Sequence, residues 1–194
     1  MAAFQLRIDL SGQERLSAMQ ALVAPELYNK AIKGGIRYAA KATPPAISKA
    51  VGARYNWKAR DIKEDIRTPR FSDGGLSVTI GLSKRPRTAL VFGGIDKKPK
   101  GFSFMVVRGE RQTFRHAFLA PGKQGIMLPF YRTKPGTKEG GRYPIDVIHG
   151  VSLGSVFLGD SRFGAVMKAE VEERMRQQFI VGIDRELKRA SRGY

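Results

Sequence analysis

The chain has 194 residues, with 35 Lys+Arg against 17 Asp+Glu, a formal net charge of +18 and no cysteine. That length suits one domain with a real core, and a hydrophobic content of 42% argues against wholesale disorder. The lack of cysteine excludes disulfides, thiol nucleophiles and thiolate metal sites, and no apolar run reaches the roughly 20 residues of a membrane span.

Phe4, Leu6, Ile8 and Leu10 alternate with polar residues, which predicts a half-buried strand ended by Ser11-Gly12. The same alternation is unlike a signal peptide, so a soluble protein made in a cytoplasm is expected. Leu16, Met19, Leu22 and Val23 then recur at helical spacing. Pro25 marks the start of a second helix, since proline suits the first helical position. That helix carries Leu27, Tyr28, Ala31, Ile32, Ile36, Ala39 and Ala40, and its Gly34-Gly35 pair would let another backbone approach closely. Thr43-Pro44-Pro45 should interrupt it, because proline lacks the N–H and clashes with the preceding turn. Thr43 would cap a restart over residues 47–51, and Asn56 a further short helix over 57–65.

Strands are predicted over residues 67–71 and 76–82, flanking the turn sequence Ser72-Asp73-Gly74-Gly75. Residues 83–100 read as a loop with an apolar island at Ala89–Phe92. Residues 101–107, 114–119, 126–132 and 143–148 read as strands, with 133–142 a polar Gly/Pro-rich loop. A long helix is predicted over 161–190. Its apolar residues Phe163, Met167, Val171, Met175, Phe179, Ile183 and Leu187 step by four, drifting about 40° per step around an ideal helix. Such a winding stripe would serve two neighbours, the sheet at one end and a second subunit at the other. The predicted class is α+β in one domain over residues 1–194. A mixed or antiparallel sheet is flanked by N-terminal helices and a long C-terminal helix, with extended basic loops at about 83–100 and 133–142.

Charge is unevenly placed. Residues 83–143 hold 14 Lys/Arg and 3 Asp/Glu, whereas residues 144–194 hold 8 and 7. Such a concentration calls for a neutralising partner: nucleic acid, an acidic protein surface or a membrane. Lys84, Arg85, Arg87, Lys97, Lys98 and Lys100 would meet DNA phosphate in sequence-independent, salt-sensitive contacts, or hook acidic neighbouring proteins. A solvated basic face is the plain alternative. No recognition helix, stacking motif or zinc finger is visible, so base-specific recognition is not expected.

The two histidines, His116 and His149, fall in separate predicted strands, with no G-x-S-x-G elbow to complete a triad. No H-E-x-x-H or calcium-loop pattern offers a metal site, and Gly122-Lys123 lacks the spacing of a phosphate-binding loop. Asp61, Glu64, Asp65, Glu170, Glu172 and Glu173 read as helix-surface charges alternating with Lys58, Arg60, Lys63, Lys168 and Arg174. Neither an enzymatic activity nor a cofactor is expected.

The stretch Arg142-Tyr143-Pro144-Ile145-Asp146-Val147 resembles the RYPIDV segment of the lambda-type minor tail protein Z family, the tail completion proteins of long-tailed phages. Upstream, Arg115-His116-Ala117-Phe118 and residues 125–132 occupy the place of that family's strand pair. Downstream, residues 151–157 precede a charged helix, as in the family, and the Ala-rich then basic helices over 39–66 are similar too. The resemblance covers most of the chain in order, with RYPIDV its one specific motif. The basic clusters 84–87 and 97–100 are more separated than in the family.

The resemblance implies a structural virion protein of the tail or neck, assembled in the host cytoplasm and completing the tail for head–tail joining. It also implies a hexameric ring around the DNA channel, with tail terminator, tube and head–tail connector as partners and non-specific contact with genomic DNA. No membrane and no catalytic residue enters. Arg142, Tyr143 and Asp146 would form an interface, while Ile145 and Val147 pack inward by strand alternation. Phe179, Ile183 and Leu187 would serve the ring contact. The alternatives are a nucleoid-like, non-specific nucleic-acid-binding protein, or another neck component such as an adaptor or terminator.

Overall fold

A computed structural model describes residues 2–6, 24–93, 96–98, 101–122, 125–132, 144–159 and 161–192. In chain order, strand β1 (Ala2–Leu6) is followed by helix α1 (Pro25–Arg54), helix α2 (Ala59–Glu64), and strands β2 (Arg70–Ser72) and β3 (Ser77–Leu82). Strands β4 (Asp96–Lys98), β5 (Gly101–Phe104), β6 (Gln112–Arg115), β7 (Phe118–Pro121), β8 (Met127–Arg132) and β9 (Ile145–Val147) come next. Helices α3 (Leu153–Leu158) and α4 (Gly164–Ser191) follow. The fold is α+β: antiparallel sheets flanked by an N-terminal and a C-terminal helix. The predicted helix through Leu16 and Val23 lies outside the described residues, as do residues 7–10 of the first strand and the loop 133–142.

Helix α1 opens with Pro25 in its first turn and then runs through Thr43-Pro44-Pro45 without a break, contrary to the predicted interruption. Each proline forfeits one backbone hydrogen bond. Thr43 does not cap a restart; its Oγ1 donates to Ala39 O at 2.8 Å, inside the core. Ile36, Ala39 and Ala40 before the prolines, and Ile47, Ala50 and Val51 after them, are all buried. Packing on both sides therefore holds the helix together, and tertiary contact outweighs the local penalty.

The main partner of α1 is α4, and this pair is the most extensive packing among the described residues. Met167, Val171, Met175, Phe179 and Ile183 are buried, with Phe163 and Leu187 partly so. The stripe thus does not divide between the sheet and a second subunit. A row of residues four apart is the slanted ridge that seats in the grooves of a crossing helix, so α1 absorbs the drift.

Strand β3 alternates cleanly, burying Val78, Ile80 and Leu82. Its register with β1 sets Phe4 opposite Ile80 and Leu6 opposite Val78. The β2–β3 turn needs Asp73, Gly74 and Gly75 all at positive φ (52°, 65° and 93°), which explains the glycine pair. Asn56 does not cap α2. Its backbone N donates to Val106 O at 2.8 Å, and the N-cap position falls at Lys58. The single strand predicted over 114–119 is two strands, broken at His116 with φ 60°. The break lets the chain leave the sheet β4-β5-β6 and join β7-β8-β9. Helix α3 is secured by a capping box in which Ser152 and Ser155 bond reciprocally, burying Leu153, Val156 and Phe157.

Candidate functional site

The first basic cluster sits on a pinned segment. Ser83 N donates to Asp65 O (2.9 Å), Gly154 N to Ser83 O (2.8 Å), Gly150 N to Arg87 O (2.7 Å) and Ala89 N to Ile148 O (3.1 Å). A short 3-10 turn, Ala89–Phe92, follows and buries Ala89 and Phe92. Lys84 and Arg85 remain exposed along this fixed rail. The predicted free arm is therefore, over residues 83–89, a structured ledge.

Arg87 is not part of the exposed set. Its Nε and Nη2 each donate to a different oxygen of Asp65 at 2.8 Å, a two-pronged pair. Nη2 also lies 3.5 Å from Glu64 Oε2. The Asp65 side chain is only 7% exposed. Hydrogen bonding to Asp65 holds the Arg87 guanidinium above its ordinary pKa. Two expectations change here: Asp65 is a buried counter-ion and not a solvated helix charge, and Arg87 is committed to it instead of to phosphate.

Lys97 and Lys98 lie on strand β4, paired with Phe102 and Gly101 of β5, where the sequence predicts a loop. Lys100, Arg142 and Tyr143 lie outside the described residues. Ile145-Asp146-Val147 of the RYPIDV segment forms β9, an outer strand of β7-β8-β9, with Pro144 just before it. Ile145 is 52% exposed, which corrects its predicted inward packing. It stands opposite exposed Arg132 at the sheet's end, whereas Val147 stands opposite Phe130 and is half-buried. Asp146 is exposed, and its Oδ1 accepts a hydrogen bond from Val147 N at 2.7 Å.

Phe179 and Ile183 are 0% and 4% exposed within the single chain, and Leu187 packs against the same core. The expected ring contact through Phe179 and Ile183 is thus replaced by intramolecular packing on α1. Glu170 also reaches across helices. Arg54 Nη2 and Nη1 donate to its two carboxylate oxygens at 2.5 and 3.0 Å, tying the end of α1 to α4. That bond holds the Glu170 carboxyl below the usual carboxylate range. His116 and His149 are both exposed, the first at a turn and the second bridged to Thr88. Among the described residues, no cluster of His, Asp and Glu is placed to hold a metal. No described helix is long and apolar enough to cross a membrane.

A further concave surface lies along α1. A groove of about 1000 Å³ is lined by Lys30, Lys33, Arg37 and Lys41, by Tyr38, Pro44, Pro69 and Phe71, and by Glu26, Glu186 and Arg189. The four α1 cations follow an i, i+3, i+7, i+11 spacing, which places them on one face. That spacing is legible in the sequence, but counting charge by segment conceals it.

Comparison with protein-family models, curated proteins and solved structures finds no match to this chain.

Proposed function

We propose that this chain is a structural virion protein at the head-proximal end of a phage tail, completing the tail for joining to the DNA-filled head. The observation that carries the reading is the RYPIDV segment, whose Ile145-Asp146-Val147 portion is an outer strand with Ile145 and Asp146 exposed. Among the described residues no strand lies beyond it. An edge strand bearing an exposed apolar side chain is suited to docking against another chain. Lys84 and Arg85, exposed on a fixed ledge, fit an acidic neighbour or DNA phosphate. In this reading the chain acts without catalysis, in a hexameric ring around the DNA channel, contacting tail terminator, tube and connector.

The test is to assemble particles without the gene and examine them by electron microscopy and head–tail joining. Complete-looking tails that cannot join filled heads are expected, with joining rescued by added protein and not by an Ile145→Asp variant. Normal infectious particles in the absence of the gene would overturn the reading.

A further inference from the structure

The groove along α1 has three properties that together define an occupant. The first is uncompensated positive charge. Lys30, Arg37 and Lys41 are exposed and Lys33 is half-buried, and none of the four has an ion-pair partner among the described residues. The fifth cation of the groove, Arg189, is paired with Glu186, as Arg54, Arg60, Arg87 and Arg162 are with carboxylates outside it. What distinguishes the four α1 cations is that they share one helix face and line one groove. From Lys30 to Lys41 the row spans about 16 Å, the length of an extended segment of about five residues.

The second property is an apolar floor. Phe71 is 48% exposed and lines the groove together with Pro44 and Pro69. Its position is fixed, because β2 pairs Phe71 with Val78 of the buried strand β3. The Lys33 stem lies over the β2–β3 turn, where a Cβ on Gly75 would stand 3.7 Å from Lys33 Cγ. Helix and hairpin thus form two walls of one groove.

The third property separates the classes of anion. Glu26 and Glu186 line the same groove. Glu186 is held in the wall, with its side chain only 14% exposed and bonded to Arg189 at 3.0 Å. A nucleic-acid backbone carries a charge at every step and would meet these carboxylates with repulsion. Arg185 covers the Tyr38 ring at 5.6 Å and donates to its hydroxyl, which leaves Phe71 as the exposed ring of the groove. A peptide can place acidic residues at the cations and an apolar side chain on Phe71, leaving neutral positions beside Glu26 and Glu186.

From this we infer that the α1 groove is a docking site for an acidic segment of a partner protein, carrying aliphatic or aromatic anchors among its carboxylates. Lys30, Lys33, Arg37 and Lys41 bind the carboxylates, and Phe71 with the two prolines takes the anchor. The inference does not rest on the tail-completion reading.

The experiment is fluorescence anisotropy of the full chain with three labelled probes: an octapeptide alternating Glu with Leu and Phe, an all-Glu octapeptide, and a 20-base-pair DNA duplex. The mixed peptide is expected to bind most tightly, with affinity falling as NaCl is raised. Arg37→Glu with Lys41→Glu, both exposed positions, should weaken it at least tenfold. Phe71→Ala should weaken it about threefold or more. Lys84→Glu with Arg85→Glu should leave it within twofold, and circular dichroism checks that each variant is folded. Absence of saturable binding, or binding indifferent to the Arg37 and Lys41 reversals in folded protein, overturns the inference. So does equal binding of the all-Glu probe, which removes the anchor. Tighter binding of the duplex through the same residues overturns it in favour of nucleic acid.

Discussion

Gly35 of α1 and Gly182 of α4 meet backbone to backbone, so that a Cβ on Gly182 would stand 2.8 Å from Gly35 Cα. A Cβ on Gly35 would in turn lie 2.7 Å from the Phe179 ring and 2.9 Å from Phe179 O. Neither backbone can yield without separating the helices. Gly182→Ala gains about 1 kcal/mol of helix propensity but overpacks the crossing by about 1–3 kcal/mol, so a net loss of up to about 2 kcal/mol is expected. Gly52, also in α1, has open space where its Cβ would be. Gly52→Ala should therefore stabilise by up to about 1 kcal/mol. Urea denaturation midpoints read both, and equal effects at the two sites would refute the close-approach argument.

Arg87 and Asp65 give a second prediction. Removing Arg87 leaves a nearly buried carboxylate without its partner, a loss of about 3 kcal/mol in buried pairs. Arg87 keeps 27% exposure, so solvent takes up part of the loss, and about 2 kcal/mol is expected for Arg87→Met. Combining it with Asp65→Asn should restore much of the stability. Simple addition of the two single effects in a denaturation cycle would show that the pair is not coupled.

The Arg54–Glu170 pair carries a pH signature. Its folded-state carboxyl pKa is depressed, chiefly by the hydrogen bond from Arg54 and then by its charge. A depressed acid contributes stability above its unfolded pKa, near 4.3, and loses it as pH falls through the lower folded value. Glu170 is 48% exposed, so the contribution is small, below about 1 kcal/mol. The melting temperature of Glu170→Gln should sit slightly below that of the parent at neutral pH and converge with it in strong acid. A gap that widened on acidification would contradict the assignment.

Pro45 is exposed within a continuous helix, where it denies Lys41 O its usual partner. An interior proline costs about 3 kcal/mol, offset by about 1 kcal/mol through its stiffening of the unfolded chain. Pro45→Ala should raise stability by roughly 1–2 kcal/mol and increase the melting temperature. A fall instead would mean that α1 needs the local shape imposed by the proline.

Patterns that depend on one element alone were legible in the sequence. The period of α4, the alternation of β3, the 72–75 turn and the start of α1 at Pro25 all follow from residue spacing. Patterns settled by a distant neighbour were not. The prolines of α1 look like a break until α4 is present to hold both halves. Asp65 looks like a surface charge until residue 87 returns to it, and the Phe179 stripe looks divided until its main partner, α1, is known. His116 breaks a strand because two sheets compete for the residues on either side. The groove cations were visible as a 3-4-4 spacing, but Phe71 and the wall that make them a site come from the hairpin.

The pairing of α1 with α4 also fixes the order in which the molecule can come together. Strands β2 to β9, with the short helices α2 and α3, are synthesised between the two long helices. Throughout that interval the apolar side of α1, with Ile36, Ala39, Ile47 and Val51, lacks the main surface that will cover it. Closing so long a loop costs entropy before any contact repays it, so the transition state waits on the arrival of α4. A nascent chain caught before that point presents an open apolar helix and unpaired strand edges together, the combination that invites aggregation or capture by a chaperone.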